Sequence, residues 1–583
     1  MHYSLGRAKL VFNLLPVSIA PRLRRPLSLR SAYLSASVSN FCLQRPCRTF
    51  SNTPDFPDEL FNYSSGRWLV NNDLRLAERR REFDVNELCR LAAQSVDRSF
   101  QDIDTFVKLA EGGFNRSFLI TMHDGFEMVA RIPYPVTVPK YYALASEVAT
   151  MRFLRSSGLP VPEVYGYSPS SDNAAKTEYI FMEFMRGTNL SDVWTELEEP
   201  DLDSLLGQLV ELESRMMSIS FPAGGSLYYT NDLEKVTGRS GIPLKDKRFC
   251  VGPDARLHMW YGRRSQLDVD RGPYESAEAA LVAPALKELA YLERFGRPLL
   301  PFQRERRESY GHKEQSPLDH IANLKRYLLI APSLIPKNPA LHRFCIRHPD
   351  LQPSNVIVDS DQLKIVGLLD WQHAAILPPY LLAGIPGRLQ NYADPVSQAR
   401  IPPSLPANMD ELDESEQTQA MELYHRRLVH FYYSKHTEEQ NTLHFDALSD
   451  AASMFICQLF DRAGSPWEGE THALKTTLIQ ATEMWGRLTP TPTPCPVVFE
   501  PEDLRETKEL SARLQVADEI LAWCEGMIGF ETETWVSNER YEAAVALAEL
   551  LKQTLLARIP EEDVRAKLEA NWLFDDMDET DYM

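Results

Sequence analysis

The chain has 583 residues, of which 44% are hydrophobic and 25% are charged, and 62 basic residues face 82 acidic ones. This is ordinary globular composition, which excludes collagen-like, low-complexity and wholly disordered classes. Residues 366–386 form the most apolar window but contain Asp370, His373 and several prolines, so we expect no membrane span. The eight cysteines lack CxxC pairs, which indicates neither a disulfide framework nor a zinc site.

The N-terminal residues 1–52 differ from the rest of the chain in charge. They contain no Asp or Glu but eight basic residues and eight serines. Such a composition is typical of a mitochondrial transit peptide, and it predicts a mitochondrial protein; a disordered basic tail is the alternative. Without this segment the acidic excess rises from 20 to 28. An acidic surface repels nucleic acid, so we expect no nucleic-acid partner.

An N-terminal extension follows over residues 53–104, with a predicted helix that begins at Asp84. Short strand-like runs then replace the helical pattern, and the turn Asp124-Gly125 favours a hairpin. We predict a three-stranded antiparallel meander, then one helix and one buried strand. The strands of the meander are expected at 105–109, 117–122 and 127–133, the helix at 141–157 and the buried strand at 178–185.

Helical patterns dominate from residue 188 to the acidic C-terminal tail, apart from a strand pair at 355–359 and 363–369. The sequence therefore predicts a two-lobed α+β fold. Its small, antiparallel β-rich N-lobe would span 105–187, and its large, mostly helical C-lobe would span 188–583. We expect the ligand in the cleft between the lobes.

The most specific motif is His348-Pro-Asp-Leu-Gln-Pro-Ser-Asn355, followed by Asp370. Phosphoryl transfer to a hydroxyl needs one carboxylate that accepts the proton and oxygen ligands that hold Mg²⁺. Asp350 fits the catalytic base, and Asn355 and Asp370 fit the metal ligands. The alternative is that these residues merely form turns and end a strand. Their combined spacing favours the phosphoryl-transfer interpretation.

A second group of candidates lies upstream, in the predicted N-lobe. Gly112, Gly113 and Asn115 lie between two strands, where small residues let backbone amides approach phosphate oxygens. Arg131 lies on the third strand, and Glu147 follows sixteen residues later on the helix. These two residues could pair and hold a phosphate contact, although a solvated helix face is the alternative for Glu147. No GxxxxGK[ST] motif supports a P-loop NTPase.

With these motifs the sequence resembles the aminoglycoside phosphotransferase family, within the protein-kinase-like fold. The resemblance implies ATP and Mg²⁺ as cofactors and transfer of the γ-phosphoryl group to a hydroxyl, with the backbone near 183–185 meeting the adenine. The matching residues would have the roles given above: Asp350 as base, Asn355 and Asp370 on the metal, Arg131 on the phosphates with Glu147 as its partner, and Gly112, Gly113 and Asn115 beside the nucleotide.

Two departures from the family pattern leave the function open. Arg131 stands where typical kinases have Lys, and Gln352 stands where this family usually has His. A catalytically weak or inactive pseudokinase that serves as a nucleotide-binding or protein-interaction scaffold is therefore the alternative. Because the base and both metal ligands are present, the sequence favours an enzyme with a small-molecule hydroxyl acceptor.

Overall fold

The computed structural model describes residues 58–489 and 494–583. The predicted transit peptide at residues 1–52 lies outside these described residues and stays a prediction. The strands are β1 Gly66–Trp68, β2 Ile103–Glu111, β3 Asn115–Met122, β4 Glu127–Pro133, β5 Val164–Ser168, β6 Tyr179–Glu183, β7 Thr188–Asn189, β8 Ser226–Tyr229, β9 Ile242–Pro243, β10 Phe249–Gly252, β11 Cys345–Ile346, β12 Val356–Val358, β13 Ile365–Leu368, β14 Ile376–Leu377 and β15 Trp535–Ser537.

Fourteen described helices are eight residues or longer, and shorter helical turns connect many of them. The longer helices are α1 Asn72–Arg79, α2 Val85–Gln94, α3 Lys140–Ser156, α4 Glu199–Ser218, α5 Thr230–Thr237, α6 Ala277–Phe295, α7 Pro317–Ile330, α8 Glu414–Gln440, α9 Thr442–Ser449, α10 Ala451–Gly464, α11 His472–Glu483, α12 Pro501–Ile528, α13 Asn538–Ala557 and α14 Glu562–Ala570. None of the helices in the described part of the chain combines the length and the apolar character needed to cross a bilayer.

The N-lobe is a five-stranded antiparallel sheet with the order β2-β3-β4-β6-β5. Its first three strands are the predicted meander, which is confirmed. Gly125 has a φ of 84° and donates its backbone N–H to Met122 O at 2.8 Å. A positive φ costs glycine little, so the Asp124-Gly125 pair closes this hairpin as expected.

Helices cover the N-lobe sheet. The predicted cap is confirmed, since Asp84 accepts a hydrogen bond from Glu87 N at 3.0 Å and α2 begins at the next residue. Helix α3 matches the predicted helix, and Gly158, with a φ of 82°, follows it. Glu147 on α3 is only 3% exposed. The solvated-face alternative for this residue is therefore wrong.

The C-lobe is mostly helical, and the predicted two-lobed α+β fold is confirmed. The predicted strand pair exists as β12 and β13, and β7 adds a third strand. The prediction that this lobe holds no other strands is wrong, because β8, β9 and β10 form a sheet and β11 pairs with β14. These strands are two to four residues long, and β10 and β11 are buried throughout, so they show no alternation that a sequence pattern could reveal.

The two ends of the described chain meet in a separate hydrophobic core. Strand β1 of the extension pairs with β15, so that Trp68 lies opposite Trp535. Buried side chains of α12, α13 and the C-terminal tail pack together, and Leu69 and Val70 pack against them. The extension therefore joins the N-lobe to the C-terminal helices.

Candidate active site

The motif from His348 to Asn355, the candidate catalytic loop, begins after β11 and ends where β12 begins. Oδ2 of Asp350 accepts hydrogen bonds from Gln352 Nε2 at 2.6 Å and from Asn355 Nδ2 at 3.2 Å. Asn355 Nδ2 also donates to the backbone carbonyl of Asp350 at 2.8 Å. These amide groups hold the half-buried carboxylate by one oxygen, and within the described chain Oδ1 has no hydrogen-bond partner.

Removal from water raises the pKa of Asp350 to about 6, and the nearby Asp370 carboxylate adds to the effect. A carboxylate with a raised pKa is a better proton acceptor. The Asp350 carboxylate is therefore suited to take a proton from a hydroxyl that approaches Oδ1.

His348 connects the loop to the strand that leads to Asp370. Its Nδ1 accepts from Asp350 N at 3.1 Å, its Nε2 lies 2.8 Å from Leu369 O, and its ring lies against Trp371. Burial lowers the pKa of His348 to about 4, so the ring is neutral and its proton lies on Nε2, facing the carbonyl. The neutral His348 ring therefore links the backbone of the Asp350 loop to the carbonyl group just before Asp370.

Arg131 joins the two lobes through two carboxylates. Its Nη1 lies 2.5 Å from Glu147 Oε1 on α3, and its Nη2 lies 2.6 Å from Asp370 Oδ1 in the C-lobe. Removal from water alone would raise the pKa of Asp370, but the Arg131 guanidinium outweighs it and lowers that pKa. Burial raises the pKa of Glu147 to about 7.

The tip of the β2–β3 hairpin lies next to the Arg131–Asp370 contact. The side-chain amides of Asn115 and Gln372 are 2.6 Å apart, and the Asn115 oxygen accepts from Arg131 Nη2 at 2.6 Å when it faces the guanidinium. Phe114 packs edge-on against His373. The hairpin therefore lies directly over the segment that follows Asp370.

Six of the eight predicted site residues meet at the lobe junction: Asn115, Arg131, Glu147, Asp350, Asn355 and Asp370. Gly112 and Gly113 instead line a neighbouring cavity. Gln372 contributes a polar group that the sequence reasoning missed. The one sequence feature that pointed to Gln372 was its position two residues after Asp370.

Glu111 at the base of the hairpin was also missed. Its Oε2 accepts from Ser64 N and from Ser65 Oγ, both at 2.8 Å. Its Oε1 lies 3.0 Å from Lys108 Nζ and 2.9 Å from Arg116 Nε. Glu111 therefore ties the glycine-containing hairpin to the N-terminal extension.

Asn355 and Asp370 fit the predicted magnesium site by their donor chemistry. Asn355 uses its amide nitrogen on Asp350 and Asp370 uses Oδ1 on Arg131, which leaves one hard oxygen on each side chain. In residues 58–489 and 494–583, no three His, Cys, Asp or Glu side chains form a metal-binding group. Two protein oxygens suit Mg²⁺, because this ion keeps several water or phosphate ligands.

A cavity of about 1640 Å³ lies beside this junction. Gly112, Gly113 and Phe114 form one side of it, and the loop from Ala383 to Tyr392 forms another. The N-terminal extension, α10, α12 and the C-terminal tail also line it, together with residues 257–261 and 302–306. A molecule larger than water can therefore reach the neighbourhood of the candidate active site.

The chain is similar to known proteins in sequence and in fold. Residues 105–381 match the model of the phosphotransferase enzyme family. A subtelomeric hrmA-associated cluster protein of Aspergillus fumigatus is 30% identical over 476 residues, which cover 75% of this chain and 90% of the relative. The mitochondrial protein "altered inheritance of mitochondria protein 9" of Yarrowia lipolytica is 27% identical over 361 residues, which cover 56% of this chain and 60% of that protein.

Among solved structures, the ternary complex of APH(2″)-IIa with streptomycin and ATP has a TM-score of 0.32 and 12% sequence identity to this chain. The superposition covers 68% of this chain and 96% of the APH(2″)-IIa chain. The family match falls on the region that holds the hairpin, Arg131, Asp350 and Asp370. The Aspergillus relative extends the similarity well beyond that region. By the family match and the similarity to the Aspergillus relative, the chain belongs to the phosphotransferase enzyme family.

Proposed function

We propose that the protein is an ATP- and Mg²⁺-dependent phosphotransferase that acts on a hydroxyl group of a small molecule. One observation carries the proposal: Asp350, Asn355, Asp370 and Arg131 converge where the two lobes meet. Family membership supports phosphoryl transfer as the reaction class. The paired amide groups on Asp350 and the free oxygens of Asn355 and Asp370 support this particular chemistry.

Each residue has a defined task in this proposal. Oδ1 of Asp350 accepts the hydroxyl proton, while Gln352 and Asn355 hold Oδ2. Asn355 and Asp370 would hold Mg²⁺, which would neutralise phosphate charge, and ATP would supply the phosphoryl group. With a cation on Asp370, the Arg131 guanidinium would be available to phosphate oxygens while Glu147 holds Nη1.

A nucleotide-binding scaffold is the second candidate. It is favoured by the Arg131–Asp370 contact, which occupies one carboxylate oxygen of the metal site, and by Gln352 in place of the family's usual His. A scaffold would bind nucleotide without forming a phosphorylated product.

Calorimetry on the full chain tests the binding part of the proposal. We expect ATP binding to require Mg²⁺ and to weaken by about tenfold or more in Asp370→Asn. Asp361→Asn, which removes an exposed carboxylate in the same region, is the matched control and should bind as the wild type does. Binding that is unaffected by Asp370→Asn would contradict the metal site.

Product formation separates the enzyme from the scaffold. We expect Asp350→Asn to keep nucleotide affinity and to lose phosphoryl transfer across a panel of hydroxyl compounds, read by phosphorus NMR. Full activity in Asp350→Asn would overturn the catalytic role. Nucleotide binding without any product in the wild type would favour the scaffold.

We also propose a mitochondrial location. The acid-free, arginine-rich residues 1–52 support it, and so does the mitochondrial name of the Yarrowia relative. A reporter fused to residues 1–52 should reach mitochondria, and replacing the arginines by glutamine should abolish its import. A reporter that stays outside mitochondria would contradict the proposal.

A further inference from the structure

An exposed proline-rich segment lies in the C-lobe, shortly before helix α8. Its sequence is Arg400-Ile-Pro-Pro-Ser-Leu-Pro406, and it follows the short helical turn Pro395–Gln398. The segment lies beyond the residues that match the family model. The proposed phosphoryl transfer gives it no task, so this segment needs an explanation of its own.

Prolines, and not hydrogen bonds, restrict the backbone of this segment. Proline fixes φ at about −65°, and a residue that precedes proline is restricted to the β and polyproline II regions. Together these two rules apply to every residue from 401 to 406 except Ser404. The segment has no regular secondary structure, and residues 402–405 form no hydrogen bond with any described residue. The sequence therefore favours a polyproline II conformation whose carbonyl groups are open to a partner.

The apolar side chains of the segment face solvent. Ile401 is 54% exposed and Leu405 is 39% exposed. Pro402 and Pro406 are exposed as well, and Pro403 is half-buried. Contiguous apolar groups on the surface of a folded protein mark an interaction site.

The spacing of these residues suits recognition from one side. A polyproline II helix has three residues per turn, so residues three positions apart share a side. The dipeptides Pro402-Pro403 and Leu405-Pro406 repeat at this spacing and form two apolar ridges about 9 Å apart. Arg400 lies three positions before Pro403, so it adds a positive charge at one end of the same side.

Arg400 is available for a partner. Its side chain is exposed, and it forms no salt bridge with any residue in the described ranges. Its guanidinium carbon lies 5.2 Å from the centre of the Phe445 ring, a contact that leaves the charge unneutralised. The carboxylate of Asp394 is already bound by Arg427 at 2.7 Å. Arg400 has a φ of 50°, the left-handed conformation that ends a helix, so the proline-rich segment starts directly after this residue.

We propose that residues 400–406 bind an SH3-type domain, whose groove is lined by aromatic side chains and carries carboxylates at one end. Such grooves accept proline-rich segments in the polyproline II conformation, which lose little conformational entropy on binding. Arg400 would pair with the carboxylates through charge-assisted hydrogen bonds. A single short segment forms a small interface, so we expect a Kd in the micromolar range. This binding does not depend on phosphoryl transfer, so the two proposals fail independently.

Calorimetric titration of the full chain with a purified SH3 domain that selects PxxP peptides with an N-terminal arginine tests the proposal. We expect binding in a 1:1 ratio. Affinity should fall about tenfold or more in Arg400→Ala and in the double variant Pro403→Ala/Pro406→Ala. These side chains lie at the surface, so the fold should be retained, which a thermal melt verifies. Absence of binding to the wild type would overturn the proposal.

The control variants are Arg239→Ala and Pro298→Ala. Each removes the same kind of side chain from an exposed position elsewhere, so the affinity for the SH3 domain should be unchanged. Equal losses in the control and test variants would show that the SH3 domain senses only general surface charge or apolar character. That result would overturn the assignment to residues 400–406.

A competition experiment tests whether the folded chain presents the segment to the groove. The full chain should displace a fluorescent PxxP peptide from the SH3 domain, as read by fluorescence polarisation, and Arg400→Ala should displace it less well. A synthetic peptide of residues 398–408 is the reference competitor. Displacement by this peptide but not by the full chain would show that the fold hides the segment, which would also overturn the proposal.

Discussion

Gln352 Nε2 donates a hydrogen bond to Oδ2 of Asp350 at 2.6 Å. An amide can hold a carboxylate in place but cannot exchange a proton with it in the neutral pH range. In the proposed reaction, Gln352 would position the base, and proton acceptance would depend on Asp350 alone.

Replacing Gln352 by alanine tests that role. Asp350 would keep only the longer contact from Asn355, so we expect kcat to fall about tenfold, equivalent to about 1.4 kcal/mol of activation free energy. The affinity for Mg²⁺-ATP should not change. Gln352→His restores a donor and should recover part of kcat. An unchanged kcat in Gln352→Ala would contradict the positioning role.

The Arg131–Glu147 pair predicts strong coupling between two substitutions. Arg131→Met leaves the 3%-exposed Glu147 without its partner, and we expect a loss of about 3 kcal/mol in the free energy of unfolding. Adding Glu147→Gln removes the stranded acid and should recover part of that loss. Urea denaturation of the two single variants and the double variant measures the coupling. Additive effects would show that the pair contributes no mutual stabilisation.

The contact between Glu111 and the extension predicts a local change in dynamics. Glu111→Gln keeps the shape but loses the ion pairs with Lys108 and the buried Arg116, at a cost of about 3 kcal/mol. We expect faster amide hydrogen exchange in residues 60–68. Glu59→Gln, at an exposed position in the same segment, is the matched control. Exchange in 60–68 that matches the control would be evidence against this connection.

The parts of the molecule that the sequence predicted well are those with local signals. The Asp124-Gly125 turn, the Asp84 cap and helix α3 each depend on residues a few positions apart. The spacing from Asp350 to Asn355 also lies within one loop. Because the spacing of nearby residues sets the local backbone structure, these features could be predicted without information about the rest of the chain.

The features that escaped prediction depend on residues that are distant in sequence. Ser65 and Glu111 are 46 positions apart, and Arg347 and Glu213 are 134 positions apart, so no periodicity links them. The short buried strands of the C-lobe were also not predicted, because tertiary packing and not local propensity stabilises them. The cavity wall likewise assembles from both ends of the described chain.

A buried ion pair holds the residue that directly precedes the candidate catalytic loop. Arg347, the residue before His348, contacts Glu213 Oε1 at 2.6 Å and donates to Leu382 O at 2.7 Å. Tyr433 donates to the other oxygen of Glu213 at 2.5 Å. Glu213 thereby couples α4 and α8 to both the catalytic loop and the segment beyond Asp370.

We expect low pH to reduce the stabilisation that the Glu213–Arg347 pair provides. Burial alone would raise the pKa of Glu213, but Arg347, His444 and Tyr433 lower it far below its usual value of 4.5. A group with a depressed folded-state pKa stabilises the protein above its unfolded-state pKa, and that stabilisation is lost as the pH falls toward the folded-state value.

We therefore expect Glu213→Gln to lower the free energy of unfolding by about 3 kcal/mol near neutral pH, because Arg347 loses its buried partner. The difference between the variant and the wild type should shrink as the pH falls below about 4.5, since the wild-type carboxylate begins to protonate on unfolding. Urea denaturation across the acid range measures this, with Glu211→Gln as the control at an exposed position on the same helix. A difference that stays constant down to the lowest pH at which the protein remains folded would mean that the Glu213 charge does not support the loop.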